Sequence, residues 1–280
     1  MPNKLLFLAA LMTLTLSASS QYYYKDLVST QQINNTYRLL RQNKIKLVKL
    51  KSYQGAVPIE EGFICEQRVN LARNEVVTYT KTANSPETFF TAIYNAQGSL
   101  VRTTDSTAEA VSTTRFTYNN AGKLELLNTE THATDKSSVS SESHRWEYRN
   151  NQPYRMFRTK NDVDTASFYF TVDQKGNLSE EEQKTGKFLS RKMFYYYDEK
   201  NRLTDIVQYS PLAKRLLPNY VFEYEDNGEL STMTVVPEGS NDYQKWYYKY
   251  DEGGLRLVEF CYDRKNELLG KIEYDYQFAK

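Results

Sequence analysis

The chain carries few residues equipped for acid–base, nucleophilic or metal chemistry, and their spacing does not assemble them into a motif. It has two histidines, His132 and His144. Zinc sites need three or four ligands at short, characteristic intervals, and neither histidine has such company. Acids come in runs, Glu180-Glu181-Glu182 and Glu223 with Glu225. A glycosidase needs two carboxylates facing each other across about 5–10 Å. Adjacent acids on a strand point to opposite faces, so these runs establish no such pair. Gly-x-Ser-x-Gly nucleophile turns, phosphate loops and dinucleotide loops are absent from the sequence. No catalytic residue, metal ligand or cofactor is assigned, and the reading favours a protein that is not an enzyme.

Stacking is the chemistry that remains. Trp146, Trp246, Tyr196 and Tyr247 are the candidate ligand-binding residues, because an uncovered ring can stack on a sugar or on a partner's side chain. The competing reading is that they pack in a core, since aromatic residues are favoured in strands. Cys65 and Cys261 could form a disulfide in an oxidising compartment, provided their Cα atoms lie within about 7 Å. Otherwise they are two buried or idle thiols.

The element that must position these residues is a short repeated phrase. It reads aromatic, acid or amide, two polar residues, Gly or Asn, one more residue, then usually Leu. Its first slot holds Tyr94, Tyr118, Tyr148, Val172, Tyr197, Tyr224, Tyr250 and Tyr262. Four residues later stand Gly98, Gly122, Gln152, Gly176, Asn201, Gly228, Gly254 and Asn266. Six residues later stand Leu100, Leu124, Tyr154, Leu178, Leu203, Leu230, Arg256 and Leu268. The acid or amide starts a turn by bonding its own backbone, and the Gly or Asn tolerates the left-handed conformation of a hairpin turn. The phrase therefore predicts hairpins in which the aromatic residue faces the leucine on one side of the sheet. The copies at Tyr148 and Tyr250 depart from the pattern and predict altered local geometry. A period near about 25 residues fits two strands, a tight turn and a return loop.

The predicted fold class is all-β, a long curled antiparallel meander of repeated hairpins with a short N-terminal helix after a signal peptide. Residues 1–20 read as that signal peptide, with Lys4 before the apolar run Leu5–Leu16 and small Ala18 and Ser20 at the cleavage positions. Residues 21–55 read as the helix and first strand, and residues 56–280 as the hairpin sheet. Longer return loops are expected near 105–112, 130–143, 159–165, 210–217 and 237–243, the second of them mobile. A formal net charge of +1 implies no nucleic-acid partner, and no stretch after residue 20 is long and apolar enough for a transmembrane helix.

Tyr197-Asp198-Glu199-Lys200-Asn201-Arg202-Leu203 and Tyr118-Asn119-Asn120-Ala121-Gly122-Lys123-Leu124 resemble the core of the YD (RHS-type) repeat. The resemblance covers roughly residues 88–276. With the signal peptide, the chain is also similar to small uncharacterised extracytoplasmic proteins of Bacteroidetes-type bacteria. That resemblance implies fold and extracytoplasmic location (periplasm, outer surface or secreted) and no activity. The functional expectation is a non-catalytic binding or scaffold protein of the envelope, whose partner is a glycan or another envelope protein. A carbohydrate-binding or carbohydrate-active protein using exposed Tyr and Trp is the first alternative. The second is an outer-membrane β-barrel, opposed by Arg102, Glu180, Asp205, Arg158 and Glu182, which read as interruptions of the apolar face.

Overall fold

A computed structural model of the chain describes residues 21–279, apart from 60–61, 84, 186–187, 211–213, 238–239 and 241. The expected signal peptide lies outside the described residues.

The turn chemistry of the repeat is present in full. In the copy at Tyr197, the Asp198 and Asn201 amides donate to the Arg202 and Asp198 carbonyls at 3.0 and 3.1 Å. The Asp198 carboxylate accepts from the Lys200 and Arg202 amides at 2.9 Å each. Asn201 sits at φ 60°, the left-handed region that Asn tolerates better than most residues. Ring meets leucine across the strands, as in Tyr94 with Leu100, Tyr118 with Leu124, Tyr197 with Leu203 and Tyr224 with Leu230. Of the two irregular copies only one differs in geometry: Tyr148 pairs with Pro153, whereas the copy at Tyr250 keeps the regular turn and register, with Arg256 in the leucine's place.

One residue beyond the leucine, each regular copy carries a bulge. Tyr197 pairs with Leu203 while Tyr196 pairs with Asp205, so Thr204 is the extra residue. A bulge reverses the facing of everything after it. Arg102, Glu180 and Asp205, expected on the apolar face, therefore stand opposite the outward Ile93, Thr171 and Tyr196. The inward face is more continuously apolar than the sequence alone implied.

The open, curled meander is corrected to a closed barrel. Strand follows strand antiparallel around a ring, and the first, Ile45–Gln54, pairs with both the last, Leu268–Phe278, and with Ile64–Asn70. Of the 19 strands among the described residues, the two-residue Val57–Pro58 lies beside this seam, and the other 18 form the ring. Closure leaves no sheet edge to protect. Lys49 and Lys51 lie on an outward face, paired opposite Asp275 and Glu273. Except between Val235 and Gln244, the return loops are shorter than expected. Strands Leu124–Ala133 and Val139–Arg149 occupy most of the segment predicted to be mobile, so His132 lies on a strand.

The two faces of the ring differ sharply in chemistry. Outward side chains form ion pairs: across strands, Lys192 reaches Glu180 at 2.7 Å and Glu182 at 3.2 Å and Arg155 reaches Glu147 at 2.9 Å, and within one strand Lys271 reaches Glu273 at 2.7 Å. Inward residues include Trp146, Met156, Phe168, Leu178, Met193 and Ile206, all at 2 % exposure or less. A ring of this many strands leaves a lumen wider than wall side chains can fill. Part of that space is taken by the N-terminal segment, a π-helical turn Tyr23–Val28 running into the α-helix Ser29–Gln42. Tyr24 packs with Tyr220 and Phe222 on one wall, and Tyr37 stacks on Tyr94 at 3.8 Å on another. The segment thus crosses the lumen as an internal plug.

Candidate functional site

The plug is held by buried charged groups at its start. The first amides of a helix have no partner within it. Here the Tyr22 and Tyr23 N–H groups donate to the Glu181 carboxylate at 3.0 and 3.2 Å, and the Tyr195 hydroxyl donates to it at 2.6 Å. Glu181 is 1 % exposed. Burial raises its pKa above the usual carboxylate range, against the pull of those three donors. The positive end of the helix dipole further favours a carboxylate at this place.

A second bridge lies one turn on. Asp26, itself buried, sits 2.8 Å from His144 Nδ1 and accepts the Trp146 indole N–H at 3.1 Å. His144 Nε2 lies 2.8 Å from Glu142. Burial alone would lower the imidazole pKa. The Asp26 carboxylate and its hydrogen bond, with Glu142 beside it, outweigh that and raise it to about 9. Tyr22 packs edge-on against the imidazole at 4.7 Å. The arrangement holds a proton firmly between two acids, which suits a latch between plug and wall.

Along the other side of the plug the lumen is not filled. A cavity of about 580 Å³ lies between the helix face of Ser29, Gln32, Ile33 and Thr36 and the wall that carries Val76, Phe90, Leu255 and Arg256. Ile33 is 40 % exposed despite lying in the lumen. Arg256 Nη1 donates to Glu259 at 2.6 Å, and the Tyr274 hydroxyl donates to the same carboxylate. The guanidinium lies over the Tyr248 ring at 4.6 Å, an attractive contact with the ring face. Burial works against its charge, but Glu259 and the surrounding tyrosines keep its pKa well above the ordinary arginine value.

The residues singled out in the sequence do not come together as one site. Trp146 and Trp246 are 2 % and 7 % exposed and belong to one buried cluster. Tyr196 is outward and 47 % exposed. Tyr247 faces outward on a different strand, edge-on to Tyr262 at 5.5 Å. They form no row of solvent-facing rings, because the inward parity of both tryptophans puts them in the core. The Cys65–Cys261 disulfide is not formed: both thiols are free and buried, in two separate core clusters. Cys65 meets the Thr80 hydroxyl, and Cys261 lies opposite Trp246. Of the acids, Glu180 and Glu182 pair outward with Lys192, and Glu223 pairs outward with Lys245.

Sequence reasoning passed over Asp26, Glu181, Arg256 and Glu259. Two of them left a signal. Glu181 is the middle member of an acid run and so faces away from its neighbours. Arg256 occupies the leucine slot in one of the two irregular copies.

No known sequence family matches the chain, and no curated protein matches it. Solved structures with a related strand arrangement include a porin-like protein from Bacteroides uniformis, at 10 % identity and TM-score 0.43, covering 83 % of this chain and 98 % of that one. A porin-like protein from Bacteroides vulgatus has 10 % identity and TM-score 0.32, covering 73 % and 98 %. The TcdB2–TccC3 toxin complex has 14 % identity and TM-score 0.31, covering 73 % of this chain and 14 % of that one. These likenesses are too distant to transfer a function. No helix among the described residues is long and apolar enough to cross a membrane, which says nothing of strands.

Proposed function

We propose that the chain is a non-catalytic, extracytoplasmic β-barrel of the bacterial envelope that remains in water and binds through its plugged lumen. The observation that carries this reading is the division of chemistry between the two faces. The aromatic and leucine ladder points inward onto the chain's own helix, and the outward face carries cross-strand ion pairs. An outward Lys or Arg near mid-membrane costs about 2–4 kcal/mol. Lys192 lies in the middle of the strand Phe188–Tyr197, and Arg155 and Arg115 are further outward cations on other strands. In water the same pairs cost little.

The second reading, an outer-membrane barrel, is favoured by the closed ring itself, in which strands such as Val139–Arg149, of 11 residues, reach a spanning length while Leu230–Val235, of 6 residues, does not. The two readings part in a fractionation experiment. The full chain expressed with its own N-terminus is expected in the soluble extracytoplasmic fraction, monodisperse without detergent. Recovery only in outer-membrane fractions, with loss of solubility when detergent is removed, would sink the water-borne reading in favour of the second.

A further inference from the structure

From the cavity beside the plug we infer a binding site for an amphipathic monocarboxylate, a molecule with one carboxylate and an apolar body. This deepens the reading of a water-borne barrel that binds through its lumen, and rests on it. Three features of the cavity define the ligand. Its size falls within the range of small-molecule sites, roughly 300–1,000 Å³, and it lies between a barrel wall and a helix whose Gln32, Ile33 and Thr36 are exposed.

Most of its surface is apolar. Ile33, Leu39, Leu40, Val76, Phe90 and Leu255 line it, and Ile33 stands 40 % exposed. A hydrocarbon body of a ligand would cover that surface and take it out of water.

The polar end is Arg256. Its side chain keeps 37 % of its surface accessible while its partner Glu259 keeps 5 %. The arginine therefore faces space, whereas the glutamate is enclosed and already accepts from both Arg256 and Tyr274. A guanidinium has five N–H donors in a planar fork suited to carboxylates. One of them is engaged by Glu259, the guanidinium also meets the Tyr250 and Tyr274 hydroxyls, and the Tyr248 ring lies 4.6 Å away. The cavity's charged lining residues are Lys25, Arg256 and Glu259, and Arg256 presents donors to the space: an anionic group suits it and a cationic group opposes it.

The test is calorimetric titration of the full folded chain with decanoate below its micellar concentration, with decanol and decylamine as probes of equal tail length. Decanoate is expected to bind saturably, and roughly ten- to a hundredfold more tightly than decanol, the ratio that one charge-assisted hydrogen bond confers. Ile33→Trp fills the cavity from an exposed position and should weaken decanoate at least about tenfold with the thermal transition unchanged. The paired change Arg256→Gln with Glu259→Gln removes both charges together and should erase the preference for decanoate over decanol. No saturable decanoate binding by soluble wild-type protein overturns the site, as does equal binding of decanol, or full binding by Ile33→Trp. Failure of the underlying reading shows earlier and differently, as protein that stays soluble only in detergent.

Discussion

Replacing His144 by glutamine tests whether the plug is latched by a buried ionic bridge. In the folded chain the imidazole pKa stands at about 9 against 6.5 unfolded. A folded pKa raised above the unfolded one contributes stability in full below the lower value, and that contribution fades as pH rises through the higher one. At 1.36 kcal/mol per pKa unit, the wild type should lose about 3 kcal/mol of stability between pH 6 and pH 9.5 through this group. Asp26 from the plug, Glu142 from the same strand and Arg158 opposite are the charged groups that face it. At pH 6 the glutamine variant should be less stable than wild type by about 3–5 kcal/mol, because Asp26 is left buried without its cation. Urea unfolding followed by tryptophan fluorescence reads this directly, since the Trp146 indole is bonded to Asp26. The two stability profiles should converge as pH rises. Parallel profiles across that range would refute the bridge as an ionic latch, whatever the size of the offset.

Two further outcomes follow from the wall. Tyr118, Tyr148 and Tyr224 each donate a hydroxyl to the leucine carbonyl of the preceding copy, at 2.7, 2.7 and 2.8 Å. Tyr148→Phe should therefore cost about 1 kcal/mol in a urea titration, and no change would show that this ladder does not bind one hairpin to the next. Burial pushes the Cys261 thiol up to about 12 and raises Cys65 as well, so neither should react with iodoacetamide in the native protein at pH 8. Labelling at the rate of an open thiol would contradict the packing around them.

The local architecture was legible because the repeat spells out its own turn. The pairing of Tyr197 with Leu203 and the irregularity at Tyr148 were both readable from seven-residue phrases, whereas the irregularity expected at Tyr250 is not there, because Asp251 and Gly254 keep its turn. The facing of Asp205 was not, since the bulge at Thr204 has no residue-type signature in the phrase. Closure was not legible either, because it depends on the first and last strands meeting, and nothing local to either strand names its partner. The same limit hid the latch. Asp26 and His144 lie 118 residues apart, and only the fold brings them within bonding distance. The sequence left the tryptophans open between stacking and core for a simpler reason: alternation separates two faces without saying which one is wet.

The seam has a consequence for how the molecule comes into being. Tyr53 and Glu273, 220 residues apart, share a hydrogen bond across it. A chain emerging from its N-terminus must keep its first strand unpartnered on that side until nearly all the rest has been delivered. Contacts of such long range make for slow folding, and the growing sheet exposes a bare flank throughout. Its inward rings are already sticky by then, with only the helix to shield them. An early-docking helix would act as a mandrel on which the hairpins are wound, and conditions that delay docking should divert the chain toward aggregates before its two ends can join.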